Sequence, residues 1–116
     1  MSLLSDKTCK PCTKVTLPLT IAETTELSWQ LRPRGWRIVE EPQHHLIKNW
    51  DCLDFEKLCK FVMTFCELAT QENHHPDFKF GYDYLELTLY THAINGLSEN
   101  DFILAAKIDN IDRWQT

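Results

Sequence analysis

From Tyr84 to Tyr90 the chain alternates without interruption. Leu85, Leu87 and Leu89 fall on one face of an extended strand, and Tyr84, Glu86, Thr88 and Tyr90 on the other. Successive side chains of a strand point to opposite sides, so the pattern demands a sheet with one buried face and one polar face. Phe78, Phe80 and Tyr82 alternate in the same way just before it, which predicts a hairpin and one shared strand face for the three rings. Upstream, Trp36, Ile38 and Glu40 alternate against Arg37, Val39 and Glu41; Pro42-Gln43 breaks the run, and Leu46-Ile47-Lys48-Asn49-Trp50 resumes it as another hairpin.

The leucine face needs a cover, and the segments between the hairpins supply helices. Thr20 and Glu23 stand at capping-box spacing, which predicts a helix over 21–31 stopped by Pro33 and Gly35. Asp51 or Asp54 caps a second helix, whose apolar positions Phe55, Leu58, Cys59, Val62, Phe65, Cys66 and Ala69 recur at three- and four-residue steps until about Glu72. Cys52, Cys59 and Cys66 recur every seven residues, near one helical stripe, and read as core packing. Ser98 and Asp101 repeat the capping-box spacing and open a closing helix through Phe102, Leu104, Ala105, Ile108 and Ile111. The expectation is an α+β fold, a four-stranded antiparallel sheet with three helices packed on one face, in the order α-β-β-α-β-β-α. Residues 1–18 have no sustained period and read as an irregular N-terminal arm, and 19–116 as a single domain. Open edges and a bare sheet face favour a homodimer or homotetramer.

A net charge of −5 argues against direct nucleic-acid binding, which rests on clustered cations; only Arg32, Arg34 and Arg37 cluster. No apolar run is long enough for a membrane span, and residues 1–14 do not read as a secretory signal, so a cytoplasmic, reducing setting is expected. Five cysteines fit that setting better than a disulfide framework. Cys9-Lys10-Pro11-Cys12 has metal-knuckle spacing, but a zinc site needs four ligands and there is no second such pair; His44-His45 is the candidate to complete one in space.

Between Asn73 and Asp101 the chain gathers His74, His75 and His92 around a constrained turn and a helix start. Imidazole both gives and takes protons near neutral pH, so three of them at the ends of short elements outline an acid–base site. Each alone has an ordinary reading, a surface loop for His74-His75 and a strand-end histidine for His92. The same three could instead hold zinc, though no Cys or Glu beside them has the usual ligand spacing.

His74-His75-Pro76, Tyr82, Thr91-His92, Gly96-Leu97-Ser98 and Asp101 together resemble the signature of the pterin-4a-carbinolamine dehydratases. The likeness extends from Cys9 and Pro11-Cys12 through Gly35-Trp36 and Asp54-Phe55 to the run Asn100–Asp109. It implies dehydration of a 4a-hydroxytetrahydropterin to the quinonoid dihydropterin, recycling the pterin of an aromatic amino acid hydroxylase, without metal or other cofactor. It implies His75 and His92 as proton-transfer groups, His74 as a group that positions or polarises the pterin, and Asp101, Thr91, Pro76 and Tyr82 as supporting or substrate-binding residues. Asp101 also has a purely structural explanation as a capping residue, and Tyr82 one as a core residue. The family pattern carries an ionisable residue four places before His74, where this chain has Thr70; Glu67 and Glu72 stand near enough to substitute. Some relatives of this fold act as dimerisation cofactors for transcription factors, which gives a non-catalytic interaction module as the alternative.

Overall fold

The sheet forms as its alternation requires. The computed structural model describes residues 3–13, 16–31, 35–51 and 54–115, the side chains only as far as 111. Lys14, Arg32, Pro33, Arg34 and Cys52, which enter the readings above, lie outside the described residues. Strands β1 (Arg37–Val39), β2 (His45–Asp51), β3 (Asp77–Phe80) and β4 (Tyr84–Leu89) make one antiparallel sheet in the order β1-β2-β4-β3. Leu46 pairs with Leu89, Lys48 with Leu87 and Trp50 with Leu85, so these six side chains share the covered face. Leu85, Leu87 and Leu89 are fully buried, whereas Tyr84 on the opposite face is exposed.

Helices α1 (Ile21–Ser28), α2 (Phe55–Glu72) and α3 (Glu99–Gln115) accompany the sheet in the predicted order, and α1 continues as a 3₁₀ turn over Trp29–Leu31. The Thr20–Glu23 box is complete, each side chain taking the other's backbone N–H. Asp54, not Asp51, caps α2 by accepting from Lys57 N at 2.8 Å. The core joins Leu58, Phe61 and Phe65 of α2 to Phe102, Ile103, Leu104, Ala105 and Ile108 of α3 over the leucines. Beside it Lys48 is buried against Asp109 at 2.9 Å, and the Trp36 indole N–H donates to the same carboxylate oxygen, so the cation is held by charge and by rings.

Three expectations need correction. Cys59 and Cys66 are exposed, because the buried stripe of α2 is Leu58, Phe61, Phe65 and Ala69. A seven-residue spacing aligns residues with one another without saying which face turns inward. Tyr82 is 82 % exposed and fills no core, since β3 ends at Phe80 and the chain turns at Gly81. Gly81 leaves room for the Tyr84 ring there: a Cβ would lie 2.3 Å from it, so a larger residue would require that exposed ring to swing away. The Ser98–Asp101 box is only half formed, as Asp101 accepts from Ser98 N but the Ser98 hydroxyl turns to Thr91.

The N-terminal segment carries a 3₁₀ turn at Leu4–Asp6 and is pinned at that end by Leu4, which is buried in the main core. Its continuation runs across the N-terminal end of α3 towards the end of α2.

Candidate active site

Helix α2 ends in a way that fixes the first histidine. Asn73 takes a left-handed conformation at φ 51°, its N–H bonds to Thr70 O, and His74 N bonds back to Ala69 O at 3.2 Å. This is a Schellman termination, which Asn tolerates better than most residues, and it delivers the chain directly into His74-His75-Pro76. Pro76 is buried behind the turn, while His75 is exposed.

The last strand ends just as abruptly. Thr91 bridges to Gly96, closing a loop whose 3₁₀ turn spans His92–Ile94. His92 projects from it, exposed, and stacks on Tyr90 with ring centres 4.2 Å apart. The termination of α2 and this loop therefore face each other across a cleft of about 400 Å³, lined on one side by Glu72, His74 and His75 and on another by Thr91 and His92. That volume lies in the range of small-molecule sites. Tyr82 is not among the lining residues.

Asp101 sits beneath this cleft with 0 % exposure, in the first turn of α3. One carboxylate oxygen accepts from His74 Nε2 at 2.6 Å; the other accepts from Thr91 Oγ1 at 2.8 Å and from Ser98 N at 2.9 Å. The carboxylate thus ties the histidine turn, the end of β4 and the start of α3 to one point. It also assigns the His74 tautomer: Nε2 carries the proton it donates, and Nδ1 is left for other contacts. His75 and His92 differ, because among the described residues neither ring nitrogen has a hydrogen-bond partner. One imidazole is fixed and two are available.

Thr70 takes no part, being exposed with its hydroxyl returned to Cys66 O at 2.9 Å. Of its two candidate substitutes, Glu67 is exposed and outside the cleft lining, whereas Glu72 lines the cleft. Both Glu72 oxygens are engaged, one by Cys9 N at 2.8 Å and the other by Lys107 Nζ at 3.7 Å. Sequence reasoning missed this use, and it also missed Asn100, whose buried side chain holds the segment Cys9–Cys12 at the cleft's edge. Cys9 and Cys12 therefore lie beside Glu72 and Asn100. Burial foremost, and then the neighbouring Glu72 carboxylate, push the Cys9 thiol from an ordinary 9.0 up to about 12.

A family described as "Pterin 4 alpha carbinolamine dehydratase" matches residues 18–111. The chain belongs to this family. It is 42 % identical over 111 residues to a Rubrobacter xylanophilus protein provisionally named a pterin-4-alpha-carbinolamine dehydratase, covering 96 % of this chain and all of that one. A Nitrosomonas europaea protein with the same provisional name is 38 % identical over 106 residues, covering 91 % of this chain and 90 % of its own. Among solved structures, a protein described as a transcriptional coactivator/pterin dehydratase from Brucella melitensis superposes with a TM-score of 0.73 at 29 % identity, covering 81 % of this chain and 97 % of that one. A pterin dehydratase-like protein described as a RuBisCO assembly factor of the α-carboxysome shares the fold, with a TM-score of 0.57 at 24 % identity. The carbinolamine dehydratase match begins at residue 18, so the cleft residues Cys9–Cys12 lie outside it.

Proposed function

We propose that this chain dehydrates a 4a-hydroxytetrahydropterin to the quinonoid dihydropterin by histidine acid–base chemistry, in the cytoplasm, downstream of an aromatic amino acid hydroxylase. The observation that carries the reading is the division among the three imidazoles: His74 is fixed by Asp101 at 2.6 Å, while His75 and His92 are exposed on the same cleft. Dehydration needs two proton movements. A donor protonates the 4a hydroxyl as its C–O bond breaks and water leaves; an acceptor takes the proton from a ring nitrogen as the C=N bond forms. Two imidazoles whose ring nitrogens are unengaged among the described residues suit these tasks, and one held by a carboxylate suits orientation of the ring. His75 and His92 are the proton-transfer groups in this reading, and His74, through Nδ1, contacts the pterin. Thr91 and Asp101 support His74, Pro76 stiffens the turn, and Tyr82, outside the cleft lining, is given no role.

The unit that does this is the domain 19–116 with its arm 1–18, and it works as a homodimer or homotetramer. A continuous apolar stripe on α2 supports self-association: Phe55 is 50 % and Met63 62 % exposed, with Cys59 and Cys66 exposed beside them. The same stripe is what a non-catalytic interaction module would use, and the Brucella melitensis relative's description as a coactivator makes that the second reading.

The test is the rate of quinonoid dihydropterin formation from synthetic 4a-hydroxytetrahydropterin, with a chelator present. Clear acceleration is expected, and His75→Ala or His92→Ala should each lower turnover by roughly 10² to 10³. Because both rings are exposed, their loss should move the thermal midpoint little. No acceleration by the wild type, or full turnover in both variants, favours the interaction module; activity lost on chelation and restored by zinc makes the histidines ligands instead.

A further inference from the structure

We infer that the segment Cys9–Cys12 is a substrate-binding wall of the cleft, with Asn100 and Glu72 as the positioning residues that hang it there; this rests on the cleft being the pterin site. The Asn100 side chain does for this segment what a neighbouring strand would do. Its Oδ1 accepts from Lys10 N at 2.8 Å and its Nδ2 donates to Lys10 O at 2.5 Å, so one amide satisfies both backbone groups of one residue. The same Nδ2 reaches Cys12 Sγ at 3.3 Å, and Cys9 Sγ donates to Asn100 O at 3.6 Å. Glu72 closes the other end by accepting from Cys9 N. A stretch with no secondary structure of its own is thereby held by five hydrogen bonds to Asn100 and Glu72, and all four of its residues line the cleft with His74, His75 and His92.

Nothing about packing demands this. Leu4 already anchors the N-terminal end in the core, and among these four residues only Cys9 packs against it. Asn100 is buried and the Glu72 side chain is only 8 % exposed, yet apart from the Lys107 contact their side chains are spent on the segment. Burying polar groups is costly unless their hydrogen bonds are made, so a buried amide committed to holding a loop at a cleft marks the loop's position as the thing being fixed. The proton-transfer imidazoles come from other elements. Loosening the wall should therefore weaken binding and leave the chemical step alone.

The experiment compares wild type with Asn100→Ala and with Lys10→Pro, which removes the Lys10 N–H from the segment's side without touching α3. A pair at Glu72 completes the set: Glu72→Ala removes the acceptor for Cys9 N, whereas Glu72→Gln keeps it. Steady-state kinetics are run beside direct calorimetric binding of 7,8-dihydrobiopterin. A wall that is in place only about a tenth of the time raises the apparent dissociation constant about tenfold. The expected result is therefore KM and Kd up about tenfold in Asn100→Ala, Lys10→Pro and Glu72→Ala, kcat within about twofold of wild type, and near-wild-type binding in Glu72→Gln. Unchanged KM and Kd in the first three variants overturn the inference, as does a fall in kcat at constant KM, which would mean these residues act through Asp101. If the wild type itself neither binds the dihydropterin nor turns over, the pterin reading fails; wild-type activity with silent variants removes the wall alone.

Discussion

Asp101→Asn is the substitution with the most to say about the site. The carboxylate is wholly buried and accepts from three donors, His74 Nε2, Thr91 Oγ1 and Ser98 N. An amide of the same shape has one acceptor oxygen. The lowest-cost arrangement turns that oxygen to Thr91 and Ser98 and leaves the amide NH₂ facing His74, so His74 must present Nε2 as an acceptor and move its proton to Nδ1. A charge-assisted hydrogen bond contributes about 1.5–3 kcal/mol against roughly 1 for a neutral one, so the substitution should cost about 1–2 kcal/mol. For a domain of this size that is a midpoint about 4–10 °C lower. The catalytic loss should be larger in proportion, about 10², because the nitrogen offered to the pterin now carries the wrong protonation. Asp101→Ala should be far worse for folding, at about 3–5 kcal/mol, since it leaves His74 Nε2 and the buried Ser98 N without their acceptor and the Thr91 hydroxyl with Ser98 Oγ alone. Turnover and circular-dichroism melts would be measured on one preparation, with the His74 tautomer read from ring ¹⁵N shifts. Wild-type turnover in Asp101→Asn, together with unchanged His74 shifts, would refute the claim that this hydrogen bond sets the ring.

With its thiol pushed up to about 12, Cys9 should stay unmodified when iodoacetamide at pH 8 alkylates Cys12, Cys59 and Cys66, as read by peptide mass mapping. A raised thiol pKa favours the protonated folded state, so the stability it contributes is fully present below about pH 9 and is lost as pH rises towards about 12; denaturant midpoints across that window should fall less in Cys9→Ser. Light scattering at micromolar concentration should give a dimer or tetramer mass, and Met63→Glu on the apolar stripe of α2 should lower it; a monomeric wild type would contradict the proposal.

What the sequence could show was whatever local pattern controls. The Thr20–Glu23 box, the Asp54 cap and the three leucines of β4 each work within a few residues, and each is realised. Helix α2 shows the first limit. Its apolar residues occupy roughly half of the circumference, of which the fold covers only the arc of Leu58, Phe61, Phe65 and Ala69, so periodicity alone could not place Cys59 and Cys66 outside. Tyr82 shows the second: alternation read past Gly81 continued a strand that the turn had already ended. The three histidines were visible through their resemblance to a family signature, but their inequality was not. His74 meets Asp101 across 27 residues, and Lys10 meets Asn100 across 90, and neither contact leaves a local trace.

Asn100 and Asp101 are consecutive residues in one turn of α3, one holding the N-terminal segment and the other holding His74. Two sides of the cleft thus share one anchor at a single peptide unit of α3, in addition to the hold that the end of α2 has on each of them. A small shift of α3 that α2 follows carries both sides together and leaves the gap between them nearly constant, so the dimensions of the cleft depend on the α2–α3 pair more than on the outer strands of the sheet. Drift between related chains in the lengths of the β1–β2 and β3–β4 turns can then accumulate without respacing the site, whereas a one-residue insertion between Asn100 and Asp101 would rotate one holder by about 100° relative to the other and separate the two sides.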